Sequence, residues 1–438
     1  MPESSESSLP STLRRGRILL RRHGPTAPVW RRRVAIFGGG AVVGLAAIAF
    51  ARASDVASAW FLQLIMHGWW LPLLLTPLGY VAIVWLTNRF APAARGSGIP
   101  QIIAAKHNPD GATSGLASMR TALMKALLTA AGLACGASVG REGPTVQVGA
   151  TVMAYAHKWL RVPVRASVLV AGAAAGVAAA FNTPLAGVAF AIEELAAAYE
   201  QRMTLLVMSA VLIAGMIALG VAGDYLYFGV VGQTLSLRAA LLVVPVAGLF
   251  GGLAGGLFAR TTLWLARGGA HRLSGGRPLL MAAACGLIVA GLGITTQLTW
   301  GTGYSAARAM IDGGHASLWF GPAKFVATLA TAAAGLPGGI FSPSLATGAG
   351  VGNLVHVLFP AQPSGAVVLL GMVAYFTGVV RAPLTSVIII AETTGSRGLM
   401  LPLLGAALIA EATASLICRE RLYHGLAQGF MPAPSPRS

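Results

Sequence analysis

MTLLVMSAVLIAGMIALGVA, residues 203–222, is twenty consecutive residues without a charge. A helix of that length rises about 30 Å, the thickness of the hydrocarbon core of a bilayer. Backbone polar groups in lipid must be satisfied within the segment, so a helix is the default spanning element. The run is too long and too continuously apolar for a barrel strand, which alternates. Working outward, similar runs lie near 34–50, 70–86, 239–258, 278–297, 365–380 and 398–410. The 438-residue chain is 55% hydrophobic and 10% charged, and its mean hydropathy is +0.72. A soluble domain carries about 25% charged residues. The chain reads as an all-α, multi-pass integral membrane protein.

The net charge of +18 is concentrated where a membrane protein would place it. Residues 1–33 hold eight arginines (Arg14, Arg15, Arg17, Arg21, Arg22, Arg31, Arg32 and Arg33) against Glu3 and Glu6. That cluster abuts the first span, so the positive-inside rule puts the N-terminus in the cytoplasm. Attraction to anionic lipid accounts for the basicity better than a nucleic-acid partner does. The arginine-rich leader is too long for a cleavable signal peptide and offers no clean cleavage site. Cys135, Cys285 and Cys418 sit in or beside apolar segments and fit neither a disulfide framework nor a metal spacing. His67, His107, His157 and His356 show no ligand spacing either, and no cofactor is expected. A membrane-embedded enzyme would need a metal cluster or a nucleophile and base within the spans, and the sequence offers no such set.

An internal repeat organises the chain. A shift of 199 positions lays Gly140-Arg-Glu-Gly-Pro144 on Gly339-Ile-Phe-Ser-Pro343, Pro184-Leu185 on Pro383-Leu384, and Glu193 on Glu392. Over positions 140–194 there are thirteen identities in fifty-five without a gap, His157/His356 and Gly172/Gly371 among them. Glycine (56) and proline (24) run through the spans rather than only the loops, so many helices should be short, tilted or interrupted. Duplicated halves with broken helices are the mark of a transporter-type fold with its site between the halves. The expected division is a cytoplasmic tail over 1–33, halves over 34–222 and 239–418 joined by a linker over 223–238, and a short C-terminal segment over 419–438. Whether the halves run parallel or inverted is not legible from the repeat.

Three glycine-proline turns interrupt apolar sequence: Gly96-Ser-Gly-Ile-Pro100, Gly140-Arg-Glu-Gly-Pro144 and Gly338-Gly-Ile-Phe-Ser-Pro343. Proline is tolerated in a first helical turn and glycine lets the chain bend into it. Each turn therefore reads as a helix N-terminus at membrane depth. There the leading N–H groups lack intrahelical partners and the macrodipole is positive. Several such ends converging make an anion site without a full positive charge, so a bound ion can still leave. A carboxylate at such an end, Glu142, is itself an anion and can take an ion's place. Burial opposes its charge while the dipole favours it, so local conditions can switch its protonation.

These motifs, GSGIP (96–100), GREGP (140–144) and GIFSP (339–343), with Tyr423 near the C-terminus, resemble the CLC family of chloride channels and proton/chloride antiporters. The resemblance runs from about residue 34 to 430. It implies two inverted halves around one pore, two such subunits forming a homodimer in a bacterial inner membrane, and cytoplasmic termini. It also implies that the cytoplasmic regulatory domains of some relatives are absent. Carried over onto this sequence, it makes Ser97 and Tyr423 side-chain ligands of chloride, where Tyr423 alone would read as an interfacial anchor. Backbone groups of Gly98, Ile99, Gly140, Arg141, Gly143, Ile340 and Phe341 complete the anion site. Serine rather than proline at 97 points to chloride over nitrate, and the signatures are not those of fluoride-specific relatives.

The same resemblance makes Glu142 the external gate and Glu194 the interior proton-transfer residue, with chloride taking a separate inner route. A glutamate at 194 favours a proton/chloride antiporter, the alternative being a passive chloride channel of the same fold. Glu193 and Glu392 read as structural, capping or pairing helix ends. Lys125 lies inside an apolar run and supports the pore's potential. The residue after GSGIP is Gln101 where relatives usually carry glutamate, which removes a possible acidic partner for Lys125. Glu411 should face a polar groove or the end of its span.

Overall fold

A computed structural model describes residues 27–195, 201–223, 226–314 and 317–431. Most of these residues are helical, and among them the one β-type pairing is an isolated bridge. The first half comprises α1 (Ala27–Ile65), α2 (Leu71–Phe90), α3 (Ile99–Ala105), α4 (Met119–Ala134), α5 (Glu142–Trp159), α6 (Ala166–Phe181), α7 (Pro184–Phe190) and α8 (Gln201–Ala222). The second comprises α9 (Leu237–Trp264), α10 (Pro278–Thr296), α11 (Tyr304–Ile311), α12 (Phe320–Ala334), α13 (Phe341–Leu358), α14 (Ser364–Val380), α15 (Pro383–Thr394) and α16 (Met400–Ile417). A short α17 (Leu422–Ala427) follows.

The repeat register holds in three dimensions. Helices α5 and α13, α7 and α15, and α8 and α16 each begin 199 positions apart. Asn182 and Arg381, the same distance apart, both close their helices in the left-handed conformation. Gly140 and Gly339 exchange two backbone hydrogen bonds of 2.7 Å as an antiparallel pair, so a local two-fold passes between them. The carboxylate of Glu193, just past α7, accepts from the amides of Leu384 and Thr385 at the start of α15. The carboxylate of Glu392, near the end of α15, accepts from Leu185 and Ala186 at the start of α7. Repeat mates α7 and α15 thus lie antiparallel, each supplying the cap its partner's first turn needs. The halves are inverted.

Among the described residues, six helices are long and apolar enough to cross a membrane: stretches of α1, α2, α8, α9, α10 and α16. Two expectations need correction. The first span was expected near 34–50, preceded by a tail to residue 33, yet α1 begins at Ala27 and runs to Ile65. Arg31, Arg32 and Arg33 are therefore helical, and the helix continues through Asp55 because that carboxylate meets Arg141 at 2.6 Å. Glu3, Glu6 and the arginines at 14, 15, 17, 21 and 22 lie outside the described residues. The run 365–380 was counted among the candidate spans, but every residue from Gly365 to Val380 is buried in protein. Hydropathy cannot separate a lipid-facing helix from a core helix, since both are apolar all round.

α14 and its mate α6 form the inner packing layer against α13 and α5. The contact uses glycine: a Cβ on Gly348 would lie 2.7 Å from the Cα of Met372. Gly149 and Gly172 likewise meet backbone to backbone. Small residues of this kind let helices approach closely where lipid supplies no hydrophobic drive. Leucine and methionine project instead from the outer helices, as at Leu205, Leu212 and Met216 of α8 and Leu401 and Leu408 of α16.

Candidate functional site

α5 and α13 start head to head on either side of the Gly140–Gly339 pair. Pro144 and Pro343 both occupy the third helical position, where a backbone donor would have no intrahelical acceptor. The free amides of each first turn are thereby directed toward the two-fold. α3 comes in from the side. Gly98 caps it at φ 109°, a conformation glycine adopts freely, and Ser97 lies against Gly143 of α5. Tyr423, on α17, edges onto the ring of Phe341, their centroids 6.1 Å apart. Phe181, Phe190 and Phe376 surround that same Phe341 ring.

Among the described residues, Ser97 Oγ, Tyr423 Oη and Glu142 Oε2 are buried at this meeting point without a hydrogen-bond partner. The Ser97 and Tyr423 hydroxyls are close enough to influence each other, and Tyr423 lies within electrostatic range of both Glu142 and Glu194. Tyr423 is wholly buried, so it is not the interfacial anchor that its position at the end of a hydrophobic run suggests. Unsatisfied polar atoms are costly in a dry interior. Their clustering beside helix N-termini is what an anion site demands.

The structure distributes the expected backbone donors unevenly. Ile99, Gly143, Ile340 and Phe341 sit in or beside the three converging first turns. Gly140 differs, because its N–H already donates to Gly339. Gly98 differs as well, because its N–H donates to the side chain of Gln101 at 3.0 Å. These two glycines shape the turns rather than offer donors. Arg141 caps α5, and its guanidinium turns away to Asp55 and the Ala51 carbonyl.

Gln101 and Lys125 answer the question of the missing acid. Gln101 accepts from Gly98 and donates to the carbonyls of Ala93 and Arg95, spanning the loop it belongs to. Lys125 is fully buried and donates to the carbonyls of Ala94 and Gly96, at 2.8 and 2.5 Å. The amide of Gln101 and the ammonium of Lys125 thus hold one loop together without a carboxylate. A cavity of about 560 Å³ adjoins this loop and reaches the site, lined by Arg95, Ser97, Gln101, Ser138, Thr328 and Ile340 among others.

Glu142 is fully buried. Its Oε1 accepts a hydrogen bond of 2.5 Å from Ser342 Oγ. Glu194 lies within electrostatic range of Tyr423, its side chain 0% exposed, and it does not line the cavity. Glu411 lies within its helix rather than at its end and pairs with Arg381 at 4.0 Å, its side chain partly exposed.

A family model described as voltage gated chloride channel matches residues 78–415. The H(+)/Cl(-) exchange transporter ClcA of Vibrio cholerae serotype O1 is 32% identical over 424 residues, covering 88% of this chain and 86% of that protein. This chain belongs to the CLC family. The fold of this CLC protein also matches solved structures. A slow cyanobacterial Cl-/H+ antiporter superposes with a TM-score of 0.81 at 24% identity, covering 91% of this chain and 98% of that one. A CLC-type fluoride/proton antiporter gives 0.78 at 21% identity, over 90% and 96% of the two chains.

Sequence reasoning missed four residues that the CLC fold brings to the site or its frame. Ser342 was read only as part of GIFSP, yet it holds Glu142. Tyr227, in the linker, places its ring 6.0 Å from the Arg141 guanidinium and its hydroxyl against Ser342. His424 follows Tyr423 directly and meets Glu194. Lys324 is the repeat mate of Lys125 and donates to the carbonyls of Thr299 and Gly301. The same 199-residue shift, carried back to residue 125, would have found Lys324; for Tyr227 no local signal existed.

Proposed function

We propose that this protein is a secondary active antiporter exchanging chloride for protons. The observation that carries the reading is the triplet of orphaned polar atoms, Ser97 Oγ, Tyr423 Oη and Glu142 Oε2, gathered at converging helix N-termini. Two of them are hydroxyls that can each give one hydrogen bond to a halide. The third is a carboxylate that competes for the same place. Ionised, Glu142 fills the site and blocks it. Protonated, it loses its electrostatic hold and the pathway opens. Amides of Ile99, Gly143, Ile340 and Phe341 supply partial positive charge that favours an anion without trapping it. Printed names of relatives point the same way, one being an H(+)/Cl(-) exchange transporter and one a Cl-/H+ antiporter.

The exchanger reading, rather than a passive channel, rests on Glu194. It lies within electrostatic range of Tyr423 and does not line the cavity, which suits a proton route that diverges from the anion route. In this reading chloride enters through the cavity beside Arg95 and protons pass by Glu194. Membrane insertion with cytoplasmic termini and assembly into a homodimer, one pathway per subunit, belong to the same proposal. The exposed apolar faces of α8 and α16 are available for lipid or for a second copy.

The test is purified protein in liposomes under a chloride gradient. An exchanger drives protons uphill as chloride runs down. Chloride flux with no proton movement would instead make the protein a channel.

A further inference from the structure

Glu194 has neither carboxylate oxygen hydrogen-bonded to protein, although its side chain is entirely buried. Its surroundings decide what it can do, and five charged or titratable groups face it: His424, Arg421, Glu193, Lys106 and Tyr423. Four are engaged elsewhere. Arg421 donates to the Glu193 carbonyl and Lys106 to the Leu195 carbonyl. The Glu193 carboxylate caps α15, and Tyr423 belongs to the anion site. His424 is different. Its Nδ1 lies 3.4 Å from Glu194 Oε1 and is buried without a hydrogen-bond partner, while the side chain as a whole is 41% exposed. That exposure therefore lies on the edge away from Nδ1, the edge that carries Nε2.

We propose that His424 is the proton port of this protein, taking protons from water on Nε2 and passing them from Nδ1 to the Glu194 carboxylate. The proposal rests on Glu194 being the interior proton station. A proton accepted at Nε2 makes the ring an imidazolium. The Nδ1–H bond then breaks, the proton forms a bond to a Glu194 oxygen, and the ring is left neutral with Nε2–H. A change of tautomer, through water or a ring flip, resets it. The 3.4 Å separation must close by a few tenths of an ångström for the transfer, within side-chain motion. Histidine suits the task because it gains and loses a proton near pH 6.5 when unperturbed, which no other side chain does.

The placement also joins the two routes. Tyr423 and His424 are consecutive on α17, and successive helical residues point about 100° apart. One short helix thus presents a hydroxyl to the anion site and an imidazole to the proton station. A shift of α17 would disturb both together.

The experiment uses the full chain in liposomes, with chloride and proton movement recorded together and the pH varied only on the face bearing His424. Wild type should show a proton rate that changes with the pH on that face. His424→Gln and His424→Asn, each checked for folding by size-exclusion profile in detergent, should lower proton movement roughly tenfold or more and lose that dependence. Added imidazole buffer should restore part of the rate, which a purely structural histidine would not allow. Wild-type proton rates and an unchanged pH profile in both variants would overturn the proposal. Glu194→Gln separates the two levels. If it stops proton movement while the histidine variants change nothing, only the port is lost; if it leaves proton movement intact, the Glu194 reading fails first.

Discussion

Ser342 is the residue on which Glu142 rests, through a buried hydroxyl-to-carboxylate hydrogen bond. Bonds to charged groups contribute about 1.5–3 kcal/mol, and each 1.4 kcal/mol is about tenfold in an equilibrium. Ser342→Ala should therefore let Glu142 leave its seat more readily and raise chloride efflux from vesicles at neutral pH by about tenfold. Identical efflux in the variant would mean the hydroxyl does not hold the gate. Glu142→Gln, with no charge to compete for the site, should keep chloride moving and abolish proton coupling in the same assay. Lys125 makes a different prediction. Lys125→Met would leave the Ala94 carbonyl unpaired and the Gly96 carbonyl with only the Gly338 amide, at about 1–3 kcal/mol for the orphaned group, so its melting temperature in detergent should fall below wild type. A variant melting with wild type would show that Gln101 alone secures the loop.

At the scale of helices, the crossed caps can be tested separately. Glu193→Ala strips two amides of α15 of their acceptor, and Glu392→Ala does the same for α7. Loss of a cap costs about 0.5–2 kcal/mol, so each variant should unfold at lower temperature while chloride transport persists. If Glu193→Ala instead abolished proton coupling and left stability alone, Glu193 would belong to the proton route and not to the frame. The elements also show where sequence reading succeeded. Pro144, Pro184 and Glu193 kept their register with Pro343, Pro383 and Glu392 because those residues fix helix starts and caps, which tolerate no slippage. Lys324 escaped because the ungapped comparison began at residue 140 and did not reach Lys125, which is 199 positions before it. The loops the two lysines hold are 205 positions apart, so those loops, unlike the lysines, fall out of the repeat register. Tyr227 and His424 act through tertiary contacts with α13 and the end of α7, and no periodicity encodes those.

For the molecule as a whole, the proposed exchange turns on coupling. Tyr423 lies within electrostatic range of both Glu142 and Glu194, so the proposed exchange needs both carboxylates and the tyrosine in one piece. Inversion of the halves was invisible in the repeat because an identity count carries no direction. It became visible only through hydrogen bonds such as Glu392 to Ala186, made by residues 206 positions apart. That bond has a consequence for how the protein is made. A ribosome adds about 5–20 residues per second, so the amides at the start of α7 wait roughly 10–40 s for the carboxylate that satisfies them. During that interval the nascent first half carries an open, electropositive helix end. Truncated chains that stop before Glu392 should accordingly be recognised by membrane proteases, and a pulse-chase comparison of chains ending at 390 and 431 would reveal it.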